Sequence, residues 1–73
     1  MSDIVSDHVY SVTEIYGSSG KSIEDAIGTA VATAGKTLRN IEWFKVSEIR
    51  GHVENNKVAH FQVGLKLGFR YER

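Results

Sequence analysis

From Ala59 to Tyr71 the odd positions read Ala, Phe, Val, Leu, Leu, Phe, Tyr, and the even ones His, Gln, Gly, Lys, Gly, Arg. Strict alternation over this length predicts a long strand with one buried face. A second strand is predicted from Ile41 to Val53, joined to the first by Glu54-Asn55-Asn56-Lys57, where asparagine tolerates the positive φ of a tight hairpin. Its phase slips, because Phe44 and Val46 are apolar on even positions and Ile49 and Val53 on odd ones. One extra residue near Ser47-Glu48, a β-bulge, returns all four to one face. Trp43, Lys45, Glu48, Arg50 and His52 then share the opposite face.

Ahead of these strands, Ile23, Ala26, Ile27, Ala30, Val31, Ala34 and Leu38 form one apolar stripe at helical spacing. Ser22 is a suitable N-cap, with Asp25 completing an acidic variant of the capping box. The helix is expected to end near Arg39-Asn40, with Lys36 and Arg39 suited to its C-terminal dipole. The stripe is mostly alanine, so the helix can lie close to whatever it covers. His8 to Tyr16 is rich in β-branched and aromatic residues and reads as a first strand, ended by the turn-like Gly17-Ser18-Ser19-Gly20. The expected fold is α+β: a β-α-β-β subunit whose three-stranded antiparallel sheet wraps one helix. Residues 1–7 are expected to fray, and 8–73 to form the single domain.

Composition narrows the function. A chain of 73 residues buries only about 60% of its unfolded surface, so partners are a natural source of further stability. There is no cysteine, which excludes disulfides and thiolate metal sites and fits a reducing cytoplasm. The start of the chain lacks the basic and apolar runs of a signal peptide. Nine basic residues balance nine acidic ones, which argues against a broad nucleic-acid or membrane footprint.

The candidate chemistry lies on the face away from the helix. Trp43, the only tryptophan, stands there beside Gly64 and Gly68, which remove side-chain bulk from the neighbouring strand. Such a platform suits the stacking of a planar ring. Gln62 offers donors and acceptors to the edge of a heteroaromatic ring. Arg50 and Arg70 offer forked donors to phosphate. Gln62 and Arg70 are eight residues apart, about 26 Å along a strand, so a single site using both needs more than one subunit. Each residue has a plainer reading. Trp43 can be an interface anchor, the glycines can mark bends in a coiled strand, and the arginines can pair with Glu48 or Glu72.

The run KTLRNIEWF (36–44), then EIRGH (48–52), AHFQV (59–63) and Gly68-Phe69-Arg70 resembles the bacterial dodecins, as do EIYGSS (14–19) and the SIEDAI helix start (22–27). The match runs from about His8 to Glu72. The resemblance implies a hollow homododecamer in which pairs of flavins stack between tryptophans of symmetry-related subunits. It makes Trp43 the stacking residue, Gln62 the reader of the isoalloxazine edge, and Arg50 and Arg70 the arginines near the flavin and its phosphate. Those arginines favour FMN over riboflavin. Coenzyme A is a second ligand implied by the same resemblance, at His8, Val9, Tyr10, Thr33, Thr37 and Arg39. His8 and Thr33 depart there from the more basic residues other members carry.

The function expected is non-catalytic flavin storage, buffering and photoprotection, because an indole against the excited ring quenches it and stacked flavins leave little room for a substrate. The alternatives are a purely structural self-assembling module with Trp43 as an interface plug, single-stranded nucleic-acid binding by one sheet aromatic, and a small hydrolase or isomerase. The last would draw on His8, His52 and His60 with Glu14, Glu48 or Glu54, but no nucleophile elbow or metal-ligand spacing accompanies them.

Overall fold

The computed structural model describes residues 8–71; residues 1–7, expected to fray, and Glu72 and Arg73 lie outside it. The elements are β1 (Tyr10–Ser19), α1 (Ile23–Ala34), β2 (Ile41–Glu54) and β3 (Lys57–Arg70). The strands form one antiparallel sheet in the order β1-β3-β2, with β3 in the centre. This is the β-α-β-β architecture expected from the pattern.

The hairpin forms where the asparagines place it, Asn55 and Asn56 having φ of 51° and 64°. The phase slip in β2 is a register shift between Val46 and Glu48, and further irregularities lie at Ile41/Trp43 and His52/Val53. Two boundaries differ from expectation by three residues or more. β1 runs on through Gly17-Ser18-Ser19, which pair with Val63, Gln62 and Phe61; the long central strand gives these residues ladder partners that outweigh their turn propensity. The helix ends at Ala34, not near Arg39. Gly35 caps it: the Gly35 N–H donates to the Val31 carbonyl and the Lys36 N–H to the Thr33 carbonyl, and Leu38 reaches the core from a turn beyond it.

The N-terminus of α1 forms only half of the predicted box. The Ser22 hydroxyl accepts from the Asp25 N–H at 2.9 Å, but the Asp25 carboxylate accepts from the Ser19 hydroxyl at 2.7 Å. Ser19 also accepts from the Lys21 N–H, so the end of β1 and the start of α1 are tied together.

Val63, Leu65 and Leu67 of β3 are fully buried against Ala26 and Ala30 of the helix. The alanine stripe allows this approach, and Gly17 completes it: a Cβ there would lie 2.2 Å from the Ala26 carbonyl oxygen and 2.8 Å from the Ala30 Cβ. One helix of 12 residues is about 18 Å long, too short and narrow to cover a sheet with two strands of 14 residues. It packs on β1 and β3. Of the β2 residues expected beneath it, only Val46 reaches the core; Phe44, Ile49 and Val53 are half exposed or more.

Packing at Gly17 predicts that Gly17→Ala destabilises the chain by about 1–3 kcal/mol through overpacking. A Cβ on Gly28 would meet nothing within 4 Å, so Gly28→Ala stabilises by about 0.5–1 kcal/mol through helix propensity. Denaturant midpoints measured side by side check both signs.

Candidate functional site

Trp43 pairs with Gly68 across the β2–β3 ladder and therefore stands on the face opposite Leu67 and the helix. Its indole lies directly over the glycine backbone: a Cβ on Gly68 would fall 2.0 Å from indole Cε2. The gap that the sequence offered to a ligand is filled by the tryptophan itself. Trp43 nonetheless stays 39% exposed, so part of the indole remains open to a ligand. Gly64 is roofed in the same way by the Tyr16 ring of β1, 3.0 Å from where its Cβ would be, together with the Ser47 hydroxyl. Tyr16 does not stand out in the sequence, although its place opposite Gly64 follows once the β1–β3 register is known.

Arg50 is the direct cross-strand partner of Gln62, so these two candidates meet on the open face. Arg70 lies at the other end of β3, next to the Trp43–Gly68 pair. The four flavin candidates thus form two clusters, Trp43 with Arg70 and Arg50 with Gln62. Gly68 and Gln62 are six residues apart, about 20 Å of strand. The separation expected from the sequence holds: one chain does not bring all four together.

Each arginine faces a glutamate held by a tyrosine of β1. The Tyr10 phenol donates to Glu42 Oε1 at 2.8 Å, and Arg70 Nη1 lies 3.6 Å from Glu42 Oε2. The Tyr16 phenol donates to Glu48 Oε2, and Arg50 Nη1 lies 3.7 Å from that oxygen. The Ser47 hydroxyl donates to Glu14 at 2.9 Å. Arg50 therefore pairs with Glu48, as its plainer reading has it; among the described residues Arg70 pairs with Glu42, and Glu72 lies outside them. Glu42 carries no role that the sequence alone reveals. The hydrogen bond to a carboxylate raises the pKa of Tyr10 and of Tyr16 above the ordinary phenol value, with desolvation a smaller cause in each. Tyr10 also tilts against Trp43, ring centroids 6.2 Å apart.

The positions implied for coenzyme A divide. His8 Nδ1 is 3.4 Å from Arg70 Nη1, and Tyr10 faces Glu42, both on the open face. Thr37 and Arg39 line a cleft of about 330 Å³ with Phe69 and Tyr71, whereas Thr33 lines a separate one of about 250 Å³ beside Tyr16 and Thr29. Val9 accepts from the Tyr71 N–H. At the hairpin end His52 and His60 stack at 5.3 Å, with Glu54 3.4 Å from His52 Nε2. No three metal-ligating side chains converge among the described residues, and no helix there is long and apolar enough to cross a membrane.

A β-α-β-β chain with one sheet face on a helix, and an indole, paired arginines and an amide on the other, is a small protein with an open face suited to a planar ligand. The dodecin family model matches residues 9–72. The dodecin of Thermus thermophilus is 47% identical over 64 residues, 88% of this chain and 93% of its own. The solved dodecin of Streptomyces coelicolor is 50% identical with a TM-score of 0.87, over 93% of this chain and 97% of that one. Structures of Thermus thermophilus dodecin variants, with a tryptophan changed to phenylalanine or one of two arginines to alanine, are 44% identical with TM-scores of 0.85 to 0.86. They cover 90% of this chain and at least 97% of theirs. The chain belongs to the dodecin family. It is a dodecin-type small-molecule-binding protein.

Because an ionised phenol can no longer donate to a carboxylate, the Tyr10–Glu42 and Tyr16–Glu48 bonds add stability below the ordinary phenol range. That contribution is lost as pH rises through the raised folded-state values. Ultraviolet titration is expected to show both tyrosines ionising at higher pH in the native than in the denatured protein. Glu42→Gln and Glu48→Gln are each expected to bring one of them down.

Proposed function

We propose that this protein binds flavin, with FMN the preferred form, by stacking the isoalloxazine ring on the open surface of Trp43 at a contact between subunits, and that it stores and photoprotects the ligand without transforming it. The observation that carries the reading is the indole itself. It lies against Gly68, on the sheet face away from the helix, and keeps enough exposure for a second flat ring to reach it.

Three further features support the reading. The arginines beside Trp43 and Gln62 keep side-chain exposures of 40% and 62%, so a phosphate can reach them. The exchanged tryptophan and arginines of the Thermus variants are seven and twenty positions apart in turn, as are Trp43, Arg50 and Arg70. The uncovered apolar residues Phe44 and Ile49 call for a covering surface, and the dodecin family suggests oligomeric assembly. Copies of the chain, twelve in a closed shell on this reading, would bring the Gln62 of one subunit to the Trp43 of another. Coenzyme A remains a proposed second ligand at the cleft beside Thr37 and Arg39. Cytoplasmic location is part of the same proposal.

Those uncovered residues also favour a second reading, in which Trp43 only plugs a subunit contact. One titration separates the two. Adding FMN or riboflavin to the apoprotein is expected to quench flavin fluorescence strongly, through electron donation from the stacked indole, and Trp43→Ala to abolish the quenching. Full flavin emission with the wild-type protein would leave only the plug. Arg70→Ala is expected to weaken FMN several-fold, in line with losing a charge-assisted hydrogen bond, and riboflavin hardly at all. Equal losses would show that Arg70 does not read phosphate.

A further inference from the structure

A bare surface arginine next to a glutamate normally closes a forked ion pair, which occupies the donors a phosphate would need. Here the pair is held open. The strong hydrogen bond to Glu42 comes from the Tyr10 phenol, at 2.8 Å on Oε1, a distance typical of a hydroxyl on a carboxylate. Arg70 Nη1 stays 3.6 Å from Oε2, within electrostatic reach but beyond hydrogen-bond length. Its other described contact, His8 Nδ1 at 3.4 Å, is to a ring nitrogen and not to an acid. The arrangement recurs six residues further along β1 and β2: Tyr16 donates to Glu48, and Arg50 stays 3.7 Å away. Twice, therefore, a tyrosine of β1 donates to the glutamate that faces a candidate phosphate-binding arginine.

We propose that Tyr10 is a positioning residue for ligand selectivity: by holding Glu42 it withholds that carboxylate from Arg70, leaving the guanidinium fork available to the phosphate of a flavin nucleotide. Glu42 acts as the internal competitor. With its carboxylate tied to the phenol it still orients Arg70 by charge, yet it gives way at little cost when a dianionic phosphate arrives, because an ion pair this exposed is weak. A neutral flavin gains nothing from the device. Tyr10 and Glu42 thus set the preference for phosphorylated over unphosphorylated ligand without touching the ring. The raised phenol pKa keeps the donor protonated across the neutral range, so selectivity does not vary there through Tyr10. The inference rests on the flavin reading above.

The test is a set of three variants, Tyr10→Phe, Glu42→Gln and the double variant, each titrated with FMN, riboflavin and inorganic phosphate. Removal of the hydroxyl frees Glu42 to close on Arg70. Tyr10→Phe is therefore expected to lower FMN affinity about two- to five-fold, the scale of an exposed ion pair, with riboflavin unchanged. Glu42→Gln, which removes the competitor, is expected to raise FMN affinity by a similar factor, and the double variant to match Glu42→Gln. Equal losses of FMN and riboflavin in Tyr10→Phe would overturn the proposal, since they mean a purely structural role through the Trp43 contact. So would a loss that Glu42→Gln fails to rescue. Inorganic phosphate, followed by the nitrogen-15 resonances of the Arg70 side chain, keeps the two ideas apart. If the wild-type protein quenches neither flavin, the flavin reading fails. The proposal then survives only if phosphate still shifts Arg70 at lower concentration in the wild type than in Tyr10→Phe.

Discussion

The molecule depends on the central strand presenting opposite chemistry to its two faces. On one side Val63, Leu65 and Leu67 are sealed by an alanine-striped helix. On the other, Gly64 and Gly68 offer bare backbone at the matching positions, and a ring from a neighbouring strand settles on each, Tyr16 on the first and Trp43 on the second. The second contact matters most. A side chain at position 68 would collide with the indole, so the glycine fixes the depth and tilt of the only tryptophan. Seated this way, the ring is packed on backbone, turned outward and partly exposed, which suits the stacking of a flat ligand.

Size explains the rest of the architecture. A single short helix covers two strands and leaves the third with Phe44 and Ile49 uncovered. The chain thus has two unfinished surfaces, an apolar strip along β2 and an aromatic and basic face on the far side of the sheet. Association of subunits, as the family suggests, would address both at once. It would cover apolar area that one helix cannot, and would join the Trp43 cluster of one chain to the Arg50–Gln62 cluster of another, which about 20 Å of strand holds apart within a chain.

Much of this was legible in the sequence, because alternation is a strong signal. The thirteen-residue pattern of β3, the Asn55-Asn56 hairpin and the slip near Ser47 located two strands, the turn and a bulge, and with them the outward direction of Trp43. What was not legible depended on tertiary pairing. Gly17-Ser18-Ser19 looked like a turn, because its turn propensity is local while its ladder partners on β3 are more than forty residues away. The apolar stripe runs past the end of the helix because Leu38 keeps helical spacing although the backbone has already turned after Ala34. The glycine gaps read as vacant since nothing local says that Trp43 and Tyr16 fill them. Glu42 escaped notice for the same reason: its partners Tyr10 and Arg70 are each about thirty residues off along the chain and meet it only through the β1-β3-β2 order.

Ligand binding, as proposed, depends on the exposed part of the Trp43 indole being the seat of the flavin ring. A crystal structure of the assembled protein grown with FMN tests it most directly. Isoalloxazine density is expected in van der Waals contact with that surface, with Gln62 from another subunit at the ring edge. Flavin bound elsewhere while the Trp43 surface stays vacant, or the indole wholly occluded by a neighbouring chain, would contradict it.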